Sequence, residues 1–299
     1  TARVRSWPLV KENKLLGFIG YKVGMTHVLV KDENPNSPRK NLDVFTPVTV
    51  VECPPLRVYA VRYYAANEDG DLKLVSEVFA KKTEKELARK INLAKAEHSA
   101  PESFDALRLA VYTQPKLAGI GKKKPDVVEI AVGGKSLQEQ SAFALSLLDK
   151  PIKVSEVFRD AQIVDVHGVT KGKGFSGVNK KFGVKRLQHK SEKGTAGIGT
   201  LGPWHPNKVR FSVAQAGKFG YHLRTDYNKI CVKVGNAPEK VNPKGGFVRY
   251  GLVKNDYLLI KGSVPGAVKR PITIVSALRP KGKVFNQPIS FISTESKQR

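Results

Sequence analysis

The chain has 299 residues, 52 of them lysine or arginine against 26 acids, for a formal net charge of +26. Hydrophobic residues make up 40% and aromatics 8%, enough apolar material for one or two cores, which excludes wholesale disorder. No apolar run reaches the length of a membrane-spanning helix, and two cysteines, Cys53 and Cys231, are too few for a disulfide scaffold or a multi-thiolate zinc site.

Taken in chain order, Thr1 to Arg5 offers no apolar core segment and no small-residue cleavage site, so no secretory signal is expected. The first residue is Thr rather than Met, as in a chain cut upstream. With so few cysteines, a reducing intracellular setting is expected. Gly17 to Val30 reads as a strand, a tight glycine bend and a second strand. Val48–Val51 and Val58–Tyr64 are β-branched and aromatic runs separated by Cys53-Pro54-Pro55, so the N-terminal part reads as a β-meander. From Lys81 to His98, Leu87, Ile91 and Ala94 fall at helical spacing, with Glu86 and Lys90 as an i,i+4 pair. Val127–Val132 reads as a strand. Ser136-Leu-Gln-Glu139 is a capping box opening a helix with Leu137, Ala144, Leu145 and Leu148 inward, stopped at Pro151. Ser155–Phe158 suggests a helical turn, and Ile163–Val166 a strand. Lys229–Val234, Phe247–Tyr250, Tyr257–Ile260 and Ile272–Val275 read as further short strands, spaced by glycine and proline turns.

The expected fold is mainly β with an α/β insertion at 79–150. Segments 17–78 and 229–279 together make a small closed β-barrel core. Residues 151–228 supply a strand plus a long central extension, and 280–299 a tail.

The charge is uneven. Residues 17–78 carry net −1, whereas 151–235 carry +11 and 236–299 carry +9. Between Gly168 and Arg224 there are 12 basic residues, 11 glycines and a single acid, Glu192. Such a segment buries too little surface to offset its ordering entropy, so it is expected to take its shape from an anionic partner rather than to be a bland flexible loop. A basic excess of this size points to nucleic acid, an anionic membrane or acidic proteins; a merely solubilising lysine surface is the plainer alternative.

Motifs with catalytic meaning are weak. Gly172-Lys-Gly174-Phe-Ser-Gly177 matches G-x-G-x-x-G, but the sequence after it, with Gly183, has no apolar helical face, and Glu192 lacks a preceding strand. Glycines there are better read as letting the backbone approach phosphates beside Lys171 and Lys173. Gly133-Gly-Lys-Ser136 ends like a P-loop, but position 129, where the first glycine belongs, is Glu, so Ser136 reads as a helix cap. His27, His98, His167, His189, His205 and His222 show no ligand spacing, so no metal, cofactor or catalytic residue is expected. Cys231 alternates within a strand and is expected to be buried. Leu201-Gly-Pro-Trp-His-Pro206 sets Trp204 in a basic tract with little core to join, and Phe211, Phe219 and Tyr221 are interleaved with Arg210, Lys218 and Arg224. This is the patterning of a base-stacking surface.

Five segments carry a resemblance: Gly17–His27, Val169–Phe175, Gly202–Pro206, Ala214–Gly217 with Gly220–Thr225, and Leu259–Gly266. Together and in this order they resemble the universal large-subunit ribosomal protein L-three family, most closely its archaeal and eukaryotic branch. The resemblance implies a barrel like the second domain of translational elongation factors. It also implies a partnership with large-subunit ribosomal RNA and neighbouring large-subunit proteins, a role early in assembly, and an extension running toward the peptidyl-transferase region. No membrane, small-molecule substrate or enzymatic activity is implied, and the setting is the cytoplasmic ribosome. Residues 1–16 become the remnant of an N-terminal arm. The RNA-facing residues are then Lys171, Lys173, Lys180, Lys181, Lys185, Arg186, Lys190, Lys193, Trp204, His205, Lys208, Arg210, Phe211, Lys218, His222 and Arg224. Phe211 stands near the tip, where eukaryotic relatives are expected to carry Trp. Two rivals remain: an RNA-modifying or nucleotide-dependent enzyme using Gly172–Gly177, and an assembly or translation factor not resident in the ribosome.

Overall fold

A computed structural model describes residues 1–92, 99–282, 288–296 and 298. The chain divides into two compact units, Thr1–Val169 with Arg224–Arg299, and Thr170–Leu223. In chain order the elements are β1 (Gly17–Lys31), β2 (Asp43–Glu52), β3 (Leu56–Ala66), β4 (Leu72–Phe79), β5 (Ala106–Tyr112), β6 (Val127–Ala131), α1 (Leu137–Ser146), β7 (Pro151–Ile152), α2 (Val154–Val157), β8 (Gln162–Val169), β9 (Phe175–Ser176), α3 (Val178–Phe182), β10 (Gly217–Lys218), β11 (Leu223–Gly235), β12 (Tyr257–Lys261), β13 (Pro271–Ser276) and β14 (Ile289–Ile292). The molecule is mainly β, as expected.

The first unit contains two sheets. The larger has the order β13-β8-β11-β12-β2-β1-β14, with a further pairing of β13 to β1 from Gly17↔Val275 to Tyr21↔Pro271. The smaller has the order β4-β3-β5-β6, with β7 pairing β3. The expected barrel segment 17–78 therefore spans both sheets, and the sheets part at Cys53-Pro54-Pro55 rather than near residue 79. Proline lacks the N–H a ladder needs, so the ladder of β2 stops there. The Cys53 N–H instead donates to the Asp256 carbonyl at 2.7 Å. β3 then takes β5 as its partner, from Arg57↔Tyr112 to Tyr64↔Ala106. The expected tail is likewise not free of structure, because β14 pairs with β1.

Three local expectations are corrected. Gly17–Val30 is one continuous strand, and its pairing with β2 absorbs the glycines as a bulge between Lys22 and Gly24 rather than a bend. Among the described residues of the expected helix at Lys81–His98, a 3₁₀ turn forms over Lys85–Arg89, burying Leu87; residues 93–98, with Ala94 and His98, lie outside the described residues. Phe247–Tyr250 is a turn, not a strand: Tyr250 N–H bonds back to the Phe247 carbonyl at 3.1 Å, and Phe247 bridges Gly251.

The helix at 137 forms where its cap demands. The Ser136 hydroxyl accepts from the Glu139 N–H at 3.2 Å. Its inward face is rotated from the expected one: Ala144 is buried and Phe143, Leu147 and Leu148 pack on the core, while Leu137 and Leu145 are exposed.

The larger core takes residues from both sheets, including Phe18, Ile19, Val51, Leu109, Ile130, Val166 and Ile274. Gly20 is required here, since a Cβ would meet Val51 Cγ1 and Cys53 Sγ. A second core gathers Tyr21, Val48, Val50, Phe247, Tyr250, Tyr257 and Leu259. Glu52, fully buried beside it, accepts from the Tyr250 hydroxyl and from the backbone N–H groups of Lys254 (2.9 Å) and Asn255 (3.0 Å), which fixes the loop before β12. Cys53 and Cys231 are both buried thiols. Burial pushes Cys231 up to about 12, so it is inert at neutral pH.

Candidate nucleic-acid interface

The second unit begins as a narrow hairpin. Thr170 N–H donates to the His222 carbonyl at 2.9 Å, Lys173 N–H to the Phe219 carbonyl at 2.9 Å, and Phe219 N–H to the Gly174 carbonyl at 2.9 Å. β9 and β10 continue it through Phe175↔Lys218 and Ser176↔Gly217. Gly220, within the returning arm, has a φ of 72° in the left-handed region, and a Cβ there would collide with the Lys171 carbonyl oxygen. So part of the G-x-G-x-x-G motif forms one arm of a hairpin. Gly177 caps only α3, five residues long, which ends at Gly183 in the left-handed conformation. That is too short to serve as the helix of a dinucleotide fold. The other glycine motif is occupied structurally as well. Gly133 and Gly134 donate to the Lys14 and Val10 carbonyls, and Ser136 caps α1.

Beyond Val184 the chain is held by few bonds of its own, among them Leu187 N–H to Thr195 O at 3.0 Å and Val213 N–H to Arg210 O at 3.1 Å. Across Thr170–Leu223 only Ser176, Val178 and Gly220 are buried. The unit holds 11 lysines and arginines against one acid, so it has almost no counter-charge. Of the sixteen residues expected to face RNA, fourteen are exposed; Lys181 and His222 are half-buried. Trp204 is 81% exposed and Phe211 wholly so, which puts both outside any core.

Aromatics and cations alternate at the hairpin. Lys173 Nζ lies 4.5 Å from the Phe219 ring centre, Lys218 Nζ 5.3 Å from that of Tyr221, and Lys181 Nζ 5.1 Å from that of Phe182. Phe175 was missing from the expected set, yet it is exposed one residue from Gly174. Its signal was an apolar residue in a tract with no hydrophobic period to absorb it.

In the first unit, β8 carries two polar residues whose roles are structural. Asp165 is buried and accepts from the backbone N–H groups of Asn228 and Leu278. His167 Nδ1 lies 2.9 Å from Thr225 Oγ1. Burial holds His167 below the ordinary imidazole value, against the opposing pull of Asp165. Among the described residues no group of three or more His, Cys, Asp or Glu could hold a metal ion. No described helix is long and apolar enough to cross a membrane.

Comparison with known proteins is consistent along the whole chain. The chain is 45% identical to the large ribosomal subunit protein uL3 of Methanobrevibacter smithii, over all of this chain and 93% of that protein. The same identity and coverage hold for the uL3 of Methanothermobacter thermautotrophicus. The uL3 of Archaeoglobus fulgidus is 43% identical over 99% of this chain and 92% of its own length. A family model described as ribosomal protein L3 matches residues 1–106 and 101–299, so the exposed cationic unit and the two-sheet unit alike fall within it, and the chain belongs to the ribosomal protein L3 family, in its archaeal type.

Proposed function

We propose that this protein is a resident structural component of the large ribosomal subunit that binds large-subunit ribosomal RNA, acts early in subunit assembly, and sends Thr170–Leu223 toward the peptidyl-transferase region. The role is structural rather than enzymatic, in the cytoplasmic ribosome beside other large-subunit proteins. The observation that carries the reading is a unit of 11 cations and one acid, with three buried residues and five of its six phenylalanine, tryptophan and tyrosine side chains exposed. Such a surface lacks an interior to order it and is suited to phosphates and splayed bases. The expected RNA-facing residues, from Lys171 to Arg224, are read as contacts on this ground. We also read β1, β2, β8, β11, β12 and β13 as a small closed barrel; the pairing of β13 with both β8 and β1 supports it.

The test is titration of the protein against large-subunit ribosomal RNA fragments over a salt series. With about 8–10 phosphates neutralised, affinity falls roughly a thousandfold or more between about 50 and 200 mM salt. A flat salt response would sink the reading. Co-migration with large subunits on sucrose gradients distinguishes a resident from a transient factor, and protease protection of 168–224 only in the particle is expected.

A further inference from the structure

Within the first unit, Tyr227 on β11 and Arg279 after β13 form an exposed stack. The guanidinium carbon lies 5.6 Å from the ring centre. Even with Arg279 against it, Tyr227 keeps 51% of its surface exposed. We infer that this stack is a nucleobase-binding platform, a site of RNA contact separate in sequence from the cationic unit. The inference rests on the RNA-binding reading above and adds a named site and ligand chemistry to it.

The platform is built rather than incidental. One carboxylate oxygen of buried Asp165 accepts from the N–H of Asn228 at 2.8 Å, and the other from the N–H of Leu278 at 2.9 Å. A single side chain from β8 thereby ties the residue after Tyr227 to the residue before Arg279. Asn228 has a φ of 54°, in the left-handed region, and its Oδ1 accepts from the Lys281 N–H at 3.2 Å. Asparagine takes this conformation more readily than most side chains, and here both its N–H and its amide oxygen are bonded.

The chemistry of the rim selects the ligand. Arg279 and Lys281 are exposed, and residues 236–299 carry 12 basic residues against 3 acids. A tyrosine ring backed by a guanidinium is a flat π-surface, which a base can extend by stacking while its phosphates meet the neighbouring cations. An apolar protein partner would gain from the ring but leave both cations desolvated and unpaired.

The experiment titrates full-length wild type, Tyr227→Ala, Tyr227→Phe and Lys281→Gln with overlapping transcripts of archaeal large-subunit ribosomal RNA over a salt series. Folding of each variant is checked by circular dichroism. Tyr227→Ala is expected to weaken binding to one transcript roughly tenfold with the salt slope unchanged, because a stacked base releases no counterion. Tyr227→Phe retains the affinity, and Lys281→Gln lowers the slope by about one. Ultraviolet crosslinking of the wild-type complex, read by mass spectrometry, is expected to leave a nucleotide adduct on Tyr227, and it needs no variant to fold. Wild-type affinity in Tyr227→Ala on every transcript, or adducts elsewhere only, overturns the platform while the RNA-binding reading stands. Salt-insensitive wild-type binding overturns both.

Discussion

The two units of this chain solve opposite problems. The first buries Phe18, Ile19, Val50, Leu109, Leu259 and Ile274 completely, and its backbone is committed to two sheets. The second holds its cations in the open, with a short hairpin and a five-residue helix as its regular structure. Charge that would repel itself in a folded interior is concentrated where there is almost no interior. The comparison teaches that stability and recognition are carried by separate residues in this protein, so substitutions should affect one without the other.

The largest expected effect tests this separation directly. Leu259→Ala empties a fully buried site in the second core and is expected to cost about 2–5 kcal/mol in chemical denaturation. Trp204→Ala, at an exposed aromatic, should shift the same transition by less than about 0.5 kcal/mol. Comparable losses from both would show that the second unit has an interior after all.

A smaller and more local effect is expected at Gly220. Gly220→Ala forces a side chain onto a left-handed residue and into the Lys171 carbonyl, at a cost of about 1–3 kcal/mol. Hydrogen exchange should reveal lost protection at the Lys173 and Phe219 amides, with the global denaturation midpoint unchanged. A lowered midpoint would mean that the hairpin and the two sheets unfold together.

The smallest effect concerns pH. His167 is held neutral by burial, so its folded value lies below its unfolded one, near 6.5. Its contribution to stability is complete above about pH 6.5 and is lost as pH falls through the lowered folded value, because the unfolded chain takes up the proton first. His167→Asn should flatten that part of the pH–stability curve. An imidazole that titrates at or above its ordinary position by NMR would contradict the assignment.

What the sequence disclosed follows from how local each feature is. The Ser136–Glu139 cap, the strand at Lys229–Val234 and the cationic tract at 168–224 depend on near neighbours, and each was legible; the in-out alternation was not, since Cys231 and Val232 are both buried beside a register shift. Sheet membership was not: nothing near β3 states that its partner is β5 rather than β1, and the proline pair that separates the sheets reads equally well as a simple turn. The face of α1 was misjudged for the same reason, since leucines at helical spacing mark an apolar stripe without saying which part of it the sheet will cover. Asp165 was invisible as a brace, because its two backbone donors come from chain segments far away in sequence.

The pairing of β1 with β13 and β14 joins an early strand to two that lie more than 200 residues later. During synthesis β1 leaves the translating ribosome well before the strands that cover its edge are made. The cationic segment between them is therefore released while the larger sheet is still incomplete. For that interval the nascent chain presents an unpaired strand edge together with a polycationic stretch, and whatever meets it first, ribosomal RNA or a folding helper, acts before its tertiary structure is finished.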